Sequence, residues 1–120
     1  DDGSYAYAPA CLINVFRSSK NGRFYLITNS ADGPCTNCDP RNKLYIAELD
    51  TKTFCIKKES FTNIEHWETK EGQPVPIRFS NFRWFEDRET KDVVLYLTPS
   101  GPQGEGLDSN SYRYDIQLPE

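Results

Sequence analysis

Four cysteines, a single histidine and a scatter of tyrosines and carboxylates are the residues here that could do chemistry. Cys35 and Cys38 form a C-x-x-C inside Gly33-Pro34-Cys35-Thr36-Asn37-Cys38-Asp39-Pro40, a segment dense in turn formers. A structural zinc site joins two such knuckles, whereas Cys11 and Cys55 each stand alone. A redox pair sits where a strand runs into a helix, and no helical pattern follows Cys38. A loop staple, or simply small residues suited to a loop, is the favoured reading, ahead of zinc and of redox chemistry. Cys11, Cys35, Cys38 and Cys55 are therefore disulfide candidates with three possible connectivities, which points to a secreted or periplasmic chain. His66 lies in Glu65-His66-Trp67-Glu68, an acidic connector, and no G-x-S-x-G elbow accompanies it. No two carboxylates are marked by spacing as an acid–base couple. Phosphate loops, EF-hand loops and H-E-x-x-H are absent, so no metal site and no cofactor are read.

The composition narrows the functional classes. The 120 residues, 37% hydrophobic and 27% charged, fit one domain or part of one. Mean hydropathy is -0.71, and no apolar run approaches the ~18 residues of a membrane span. A net charge of -4 argues against a partner that is nucleic acid. The chain starts Asp1-Asp2-Gly3 and holds no methionine, so it is read as a processed chain or a fragment.

The elements that must position any site are strands. Short runs rich in β-branched and aromatic residues alternate with Gly, Pro, Asn and Asp. This pattern predicts strands at about 10–17, 23–29, 43–49, 54–60, 77–85, 92–98 and 111–118. Lys20-Asn21-Gly22-Arg23 joins the first two, because Asn-Gly tolerates the positive φ of a tight turn. Asp50-Thr51-Lys52 and residues 87–91 make two further turns. The only helical candidate, near Thr62 to Lys70, is poorly patterned and is followed by Pro74 and Pro76. Pro99 to Asn110 is expected to be a long surface loop.

Several runs are apolar on both faces, among them Phe24-Tyr25-Leu26-Ile27, Leu44-Tyr45-Ile46-Ala47 and Val93-Val94-Leu95-Tyr96-Leu97. A sheet with one wet face would alternate. Sheets covered on both sides are expected instead, as in the blades of a β-propeller. The expected class is all-β: one four-stranded antiparallel blade over about 10–66, and a second, incomplete one over about 77–118. Both lie in a single unit, 1–120, and two blades are too few to close a ring.

Asn21-Gly22-Arg23-Phe24-Tyr25-Leu26-Ile27-Thr28-Asn29, followed by Arg41-Asn42-Lys43-Leu44-Tyr45-Ile46-Ala47, resembles the sialidase-like (BNR-repeat) β-propellers. Glu48-Leu49-Asp50-Thr51-Lys52-Thr53-Phe54 resembles a decayed Asp-box, keeping the Asp, the Thr and an aromatic but lacking the Ser and Gly. Residues 79–85 and 93–98 resemble the next blade's first two strands, and Tyr112-Arg113-Tyr114-Asp115-Ile116 its third. The resemblance implies a site at one end of the stacked sheets, where arginines hold an anionic sugar two bonds at a time. Arg41 is its best-placed arginine, with Asn29 beside the same loop and Arg78 near the second blade. Arg83 is a strand-edge charge by the same measure. Alternatively, Arg41 braces the Cys35–Asp39 loop. A tyrosine nucleophile would be Tyr5 or Tyr7, at a position where aromatics usually pack. Two functions are implied: part of a secreted propeller glycoside hydrolase, completed by the remainder of the propeller or by another chain, or a non-catalytic carbohydrate- or protein-binding module. A small, self-contained β-domain stapled by disulfides is a third reading, which leaves the doubly apolar strands unexplained.

Overall fold

The computed structural model describes residues 1–67, 77–100 and 110–120. These form two antiparallel sheets. The first has strand order β1-β2-β3-β4, with β1 Asn14–Arg17, β2 Phe24–Asn29, β3 Lys43–Leu49 and β4 Thr62–His66. The second has order β5-β6-β7, with β5 Arg83–Glu86, β6 Val93–Leu97 and β7 Tyr112–Ile116. Each is a meander in which neighbours in sequence are neighbours in the sheet. Among the described residues the only helix is a 3-10 turn at Lys58–Ser60.

The fourth strand departs from expectation. The run at 54–60 makes only one bridge, Leu49 to Ile56, and then coils into the 3-10 turn. Ser60 holds that turn, its hydroxyl donating to the Lys57 carbonyl at 2.6 Å and accepting the Glu48 N–H at 2.7 Å. The strand forms at Thr62–His66 instead, inside the stretch read as a helical candidate, where pairing with β3 overrides weak local propensity. A bulge between Leu44 and Tyr45 absorbs the changed register. Residues 68–70, Pro74, Pro76 and most of the loop expected at Pro99 to Asn110 lie outside the described residues.

Three turns share one construction. Ser18–Arg23, Asp50–Cys55 and Asp87–Asp92 each pair the first and sixth residues through the backbone, at 2.9, 2.9 and 2.8 Å. In each, the fifth residue donates back to the first carbonyl and has positive φ: Gly22 at 76°, Phe54 at 57° and Lys91 at 61°. Asp50 accepts the N–H groups of Lys52 and Thr53, and Asp87 those of Glu89 and Thr90. Those bonds hold both carboxylates below the usual range.

The sheets stack face to face around Tyr25, Ile27, Leu44 and Ile46 on one side and Val93, Leu95 and Leu97 on the other. Phe16 meets Trp84 across the gap, ring centroids 4.3 Å apart. The Cα shell is only 18 Å thick in its shortest dimension, which suits two layers about 10 Å apart. Superimposing the turn Ser18–Arg23 on Asp87–Asp92 brings β1 onto β5 and β2 onto β6. Phe16 then matches Phe85, Ile27 matches Tyr96, Val15 matches Trp84 and Leu26 matches Leu95. Phe16 and Ile27 face the other sheet, whereas Phe85 and Tyr96 face away from it. The stack is therefore head-to-tail: non-equivalent faces meet.

The N-terminal segment is tied to the first sheet at both ends. Its amino group binds the Ile56 carbonyl at 2.8 Å, while Tyr7 bridges Ala31 at the other end of the strands. Residues 1–7 thus run from one end of the first sheet to the other. Leu26, Thr28, Ala47 and Leu49, on the side of that sheet away from its partner, are buried.

Candidate functional site

The three turns gather at one end of the sheets. The described part of the β2–β3 connection lies at the other, and so do Asn29, Arg41 and Arg78. Asn29 ends β2 with no exposed surface. Its Nδ2 donates to the Phe79 carbonyl at 2.8 Å, the Lys43 carbonyl at 3.0 Å and, more loosely, the Arg41 carbonyl at 3.4 Å. Asn29 therefore ties β2, β3 and the lead-in to β5 together. It is an internal clasp, closed to any ligand.

Arg41 precedes β3 and is partly exposed. Nε donates to the Cys38 carbonyl at 2.7 Å, Nη1 to Ser80 Oγ at 3.1 Å and Nη2 to the Ala10 carbonyl at 2.7 Å. A guanidinium carries five N–H donors, so one hydrogen remains on each terminal nitrogen. That is the number an end-on carboxylate takes. Arg78 donates from Nε and Nη2 to the two oxygens of Asp39, both at 2.9 Å. This fork raises its pKa further, the hydrogen bonds to Asp39 contributing most. Backbone bonds between Phe79 N–H and the Arg41 carbonyl, 2.7 Å, join the two arginine segments. Arg41, Asn29 and Arg78 are thus brought into one network, together with Ser80, which sequence reasoning passed over. Arg83 is exposed and, among the described residues, donates to the Phe82 carbonyl at 3.3 Å.

Aromatic residues border this end. Tyr7 bridges Ala31, and Trp67, 38% exposed, exchanges two bonds with Asn42: Trp67 N–H to the Asn42 carbonyl at 2.8 Å and Asn42 Nδ2 to the Trp67 carbonyl at 2.7 Å. Trp67 lies next to the arginine segment only because β4 returns alongside β3, a pairing that no local signal marks.

One tyrosine–carboxylate pair crosses between the sheets. Tyr114 on β7 donates to Glu65 Oε2 on β4 at 2.8 Å. Burial, reinforced by the Glu65 carboxylate, pushes the phenol up, away from the ionisation a nucleophile needs. The pair works as a cross-sheet tie. His66 is exposed, its Nδ1 3.2 Å from Asn63 Oδ1. Tyr5 is 87% exposed.

The four cysteines are free thiols. Cys55 closes the Asp50 turn, at the opposite end from Cys11 and the Cys35–Cys38 hairpin. A strand the length of β3 separates the ends by roughly 20 Å, far beyond the reach of a disulfide. The pairing that the sequence leaves open is narrowed by this geometry to links among Cys11, Cys35 and Cys38, with Cys55 out of reach. Among the described residues no cluster of His, Cys, Asp and Glu could hold a metal ion.

No helix of the described residues is long and apolar enough to cross a membrane. No family model, no curated protein and no solved structure matches this chain.

Proposed function

We propose that this chain is a non-catalytic carbohydrate-binding module built from propeller-type blades of sialidase-like character. The head-to-tail stacking of two meanders supports the blade reading, since sandwich layers related by a two-fold axis would pair equivalent faces. The Asp50 side chain, accepting turn N–H groups as an Asp-box aspartate does, supports the likeness. The observation that carries the ligand assignment is Arg41: a guanidinium anchored by three bonds, with one N–H left on each terminal nitrogen. Anchoring removes the rotamer entropy that a free arginine would lose on clamping an anion. Arg78, its charge matched by the Asp39 carboxylate, braces the segment that carries Ser80, and Trp67 offers an aromatic edge for a sugar ring. The favoured ligand is an acidic sugar.

The hydrolase reading has less support from these residues. The Tyr114–Glu65 pair does not lend it a nucleophile, because burial and the neighbouring carboxylate favour the protonated phenol.

Titration with sialic acid and with neutral galactose, followed by amide chemical shifts, tests the assignment. Sialic acid is expected to shift residues 38–42 and 78–80 selectively. Arg41→Ala is expected to weaken binding by about tenfold or more, as loss of a charge-assisted pair implies. Equal responses to both sugars, or an unchanged affinity in the variant, would refute it.

A further inference from the structure

We infer that the turn end of the molecule holds a second ligand site, a cavity between the sheets that takes a neutral single-ring molecule carrying one acceptor oxygen. It lies at the end opposite Arg41 and is independent of the sugar.

The cavity measures about 220 Å³ and has walls from both sheets, Ile46 of β3 on one side and Ile116 of β7 on the other, with Tyr25 beside them. Leu118 and Pro119 close it from the C-terminal side. That cover is fastened to two turns. The Leu118 N–H donates to Asp92 Oδ1 at 2.9 Å, Lys20 Nζ to the Leu118 carbonyl at 2.8 Å and Asn21 Nδ2 to the Pro119 carbonyl at 2.9 Å. The space is therefore enclosed by tied chain. Thr62 and Gln117, both exposed, line its open side. An aliphatic cavity of about 150 Å³ admits benzene, so this one has room for a ring and a short substituent.

The polar groups select the substituent. Asn21 Oδ1 accepts the Arg23 N–H at 2.9 Å, which fixes the way its amide lies. Both hydrogens of Nδ2 are then spent, one on the Pro119 carbonyl and one on the Tyr25 hydroxyl at 2.8 Å. Tyr25 thus accepts that bond and keeps its own hydrogen, which no described residue takes up. The side chain is 5% exposed, and a buried donor without an acceptor is costly. Because one amide reaches both groups, the hydroxyl stands close to Pro119, at the cavity. Other polar residues of the lining are already engaged. Glu48 pairs with Lys57 at 2.5 Å and Arg23 at 3.4 Å, and the Ser60 hydroxyl bonds the Lys57 carbonyl and the Glu48 N–H. The site offers one buried donor and no unpaired charge, which suits a neutral ligand with an acceptor.

Acetophenone, followed by amide chemical shifts, is the probe, with α-methylstyrene as the molecule of the same shape that lacks the oxygen. Acetophenone is expected to give saturable shifts at residues 25, 46 and 116–118. Tyr25→Phe is expected to weaken acetophenone about three- to tenfold, the loss of one neutral hydrogen bond, and to leave α-methylstyrene unchanged. Thr62→Trp fills the exposed mouth and is expected to remove both responses, so the test stands even where Tyr25→Phe melts early. Four results would each overturn the inference: no saturable shift at those residues, a like effect of Tyr25→Phe on both probes, undiminished binding to Thr62→Trp, or benzoate binding as tightly as acetophenone. None of them bears on the sialic acid titration, which reads the other end of the sheets.

Discussion

Phe16 and Phe85 occupy the same place relative to their turns, and so do Ile27 and Tyr96, yet the members of each pair have opposite surroundings. In the first sheet these positions form the interior: Ile27 has no exposed surface and Phe16 packs on Trp84. In the second they form an outer wall of stacked rings in water. The comparison teaches that the apolar character of a strand position records the kind of stack it belongs to. Its burial records only what lies against it.

The largest effect expected from breaking this comparison is a stability difference between matched positions. Ile27→Ala should cost about 2–5 kcal/mol, since a buried branched side chain leaves a cavity. Tyr96→Ala should cost under about 1 kcal/mol, since the ring remains partly solvated. Urea denaturation measures both, and similar losses would show that the second outer face is already covered in solution.

The clasp comes next. Asn29→Ala should destabilise by about 1–3 kcal/mol, because carbonyls at the β2–β3–β5 junction lose their donor. Asn29 Oδ1 and Asn14 Nδ2 are buried without partners among the described residues, so the site is already under-satisfied and the cost falls toward the low end. A loss below 0.5 kcal/mol, in the same titration, would make the junction incidental.

The joint between the sheets has a pH signature. Asp92 is held below the usual carboxylate range chiefly by Lys20, then by the Leu118 N–H. Its folded pKa is depressed, so the associated stability is present above the unfolded value of about 3.9 and is lost as pH falls through the folded value. Melting temperatures from pH 6 down to pH 2 should fall less steeply for Asp92→Asn than for the parent. Parallel curves would remove Asp92 from the joint.

The smallest effects belong to the turns. Asp50→Ala and Asp87→Ala should each lower stability slightly and by like amounts, since both aspartates make the same two backbone bonds. A large difference between them, in the same melts, would break the equivalence of the turns on which the superposition depends.

Much of this was legible in the residues. Asn21-Gly22 announced a turn because glycine accepts positive φ without strain, and Gly22 has it. The runs at 24–29, 43–49 and 93–97 announced strands within a residue or two of their ends. β4 was missed because Thr62-Asn63-Ile64-Glu65-His66 has neither strong strand propensity nor alternation, and its place is fixed by pairing with β3. The candidate arginines were picked out by position, but their bonding was invisible. Arg41 finds Ser80, Arg78 finds Asp39 and Asn29 finds Phe79 across 39, 39 and 50 residues of sequence.

The sequence by itself determined the local grammar: strands where apolar and β-branched residues cluster, turns where Gly, Asn and Asp can bend or bond the backbone, and a class that is all-β. These depend on a few successive residues, so the information is contiguous. Tertiary structure alone decided which face of each sheet is interior, that Cys55 stands apart from the other thiols, and that two arginines meet at one end with half their hydrogen-bonding already committed. Those outcomes depend on residues far apart in the chain being brought within a few ångströms, and no local preference encodes that distance.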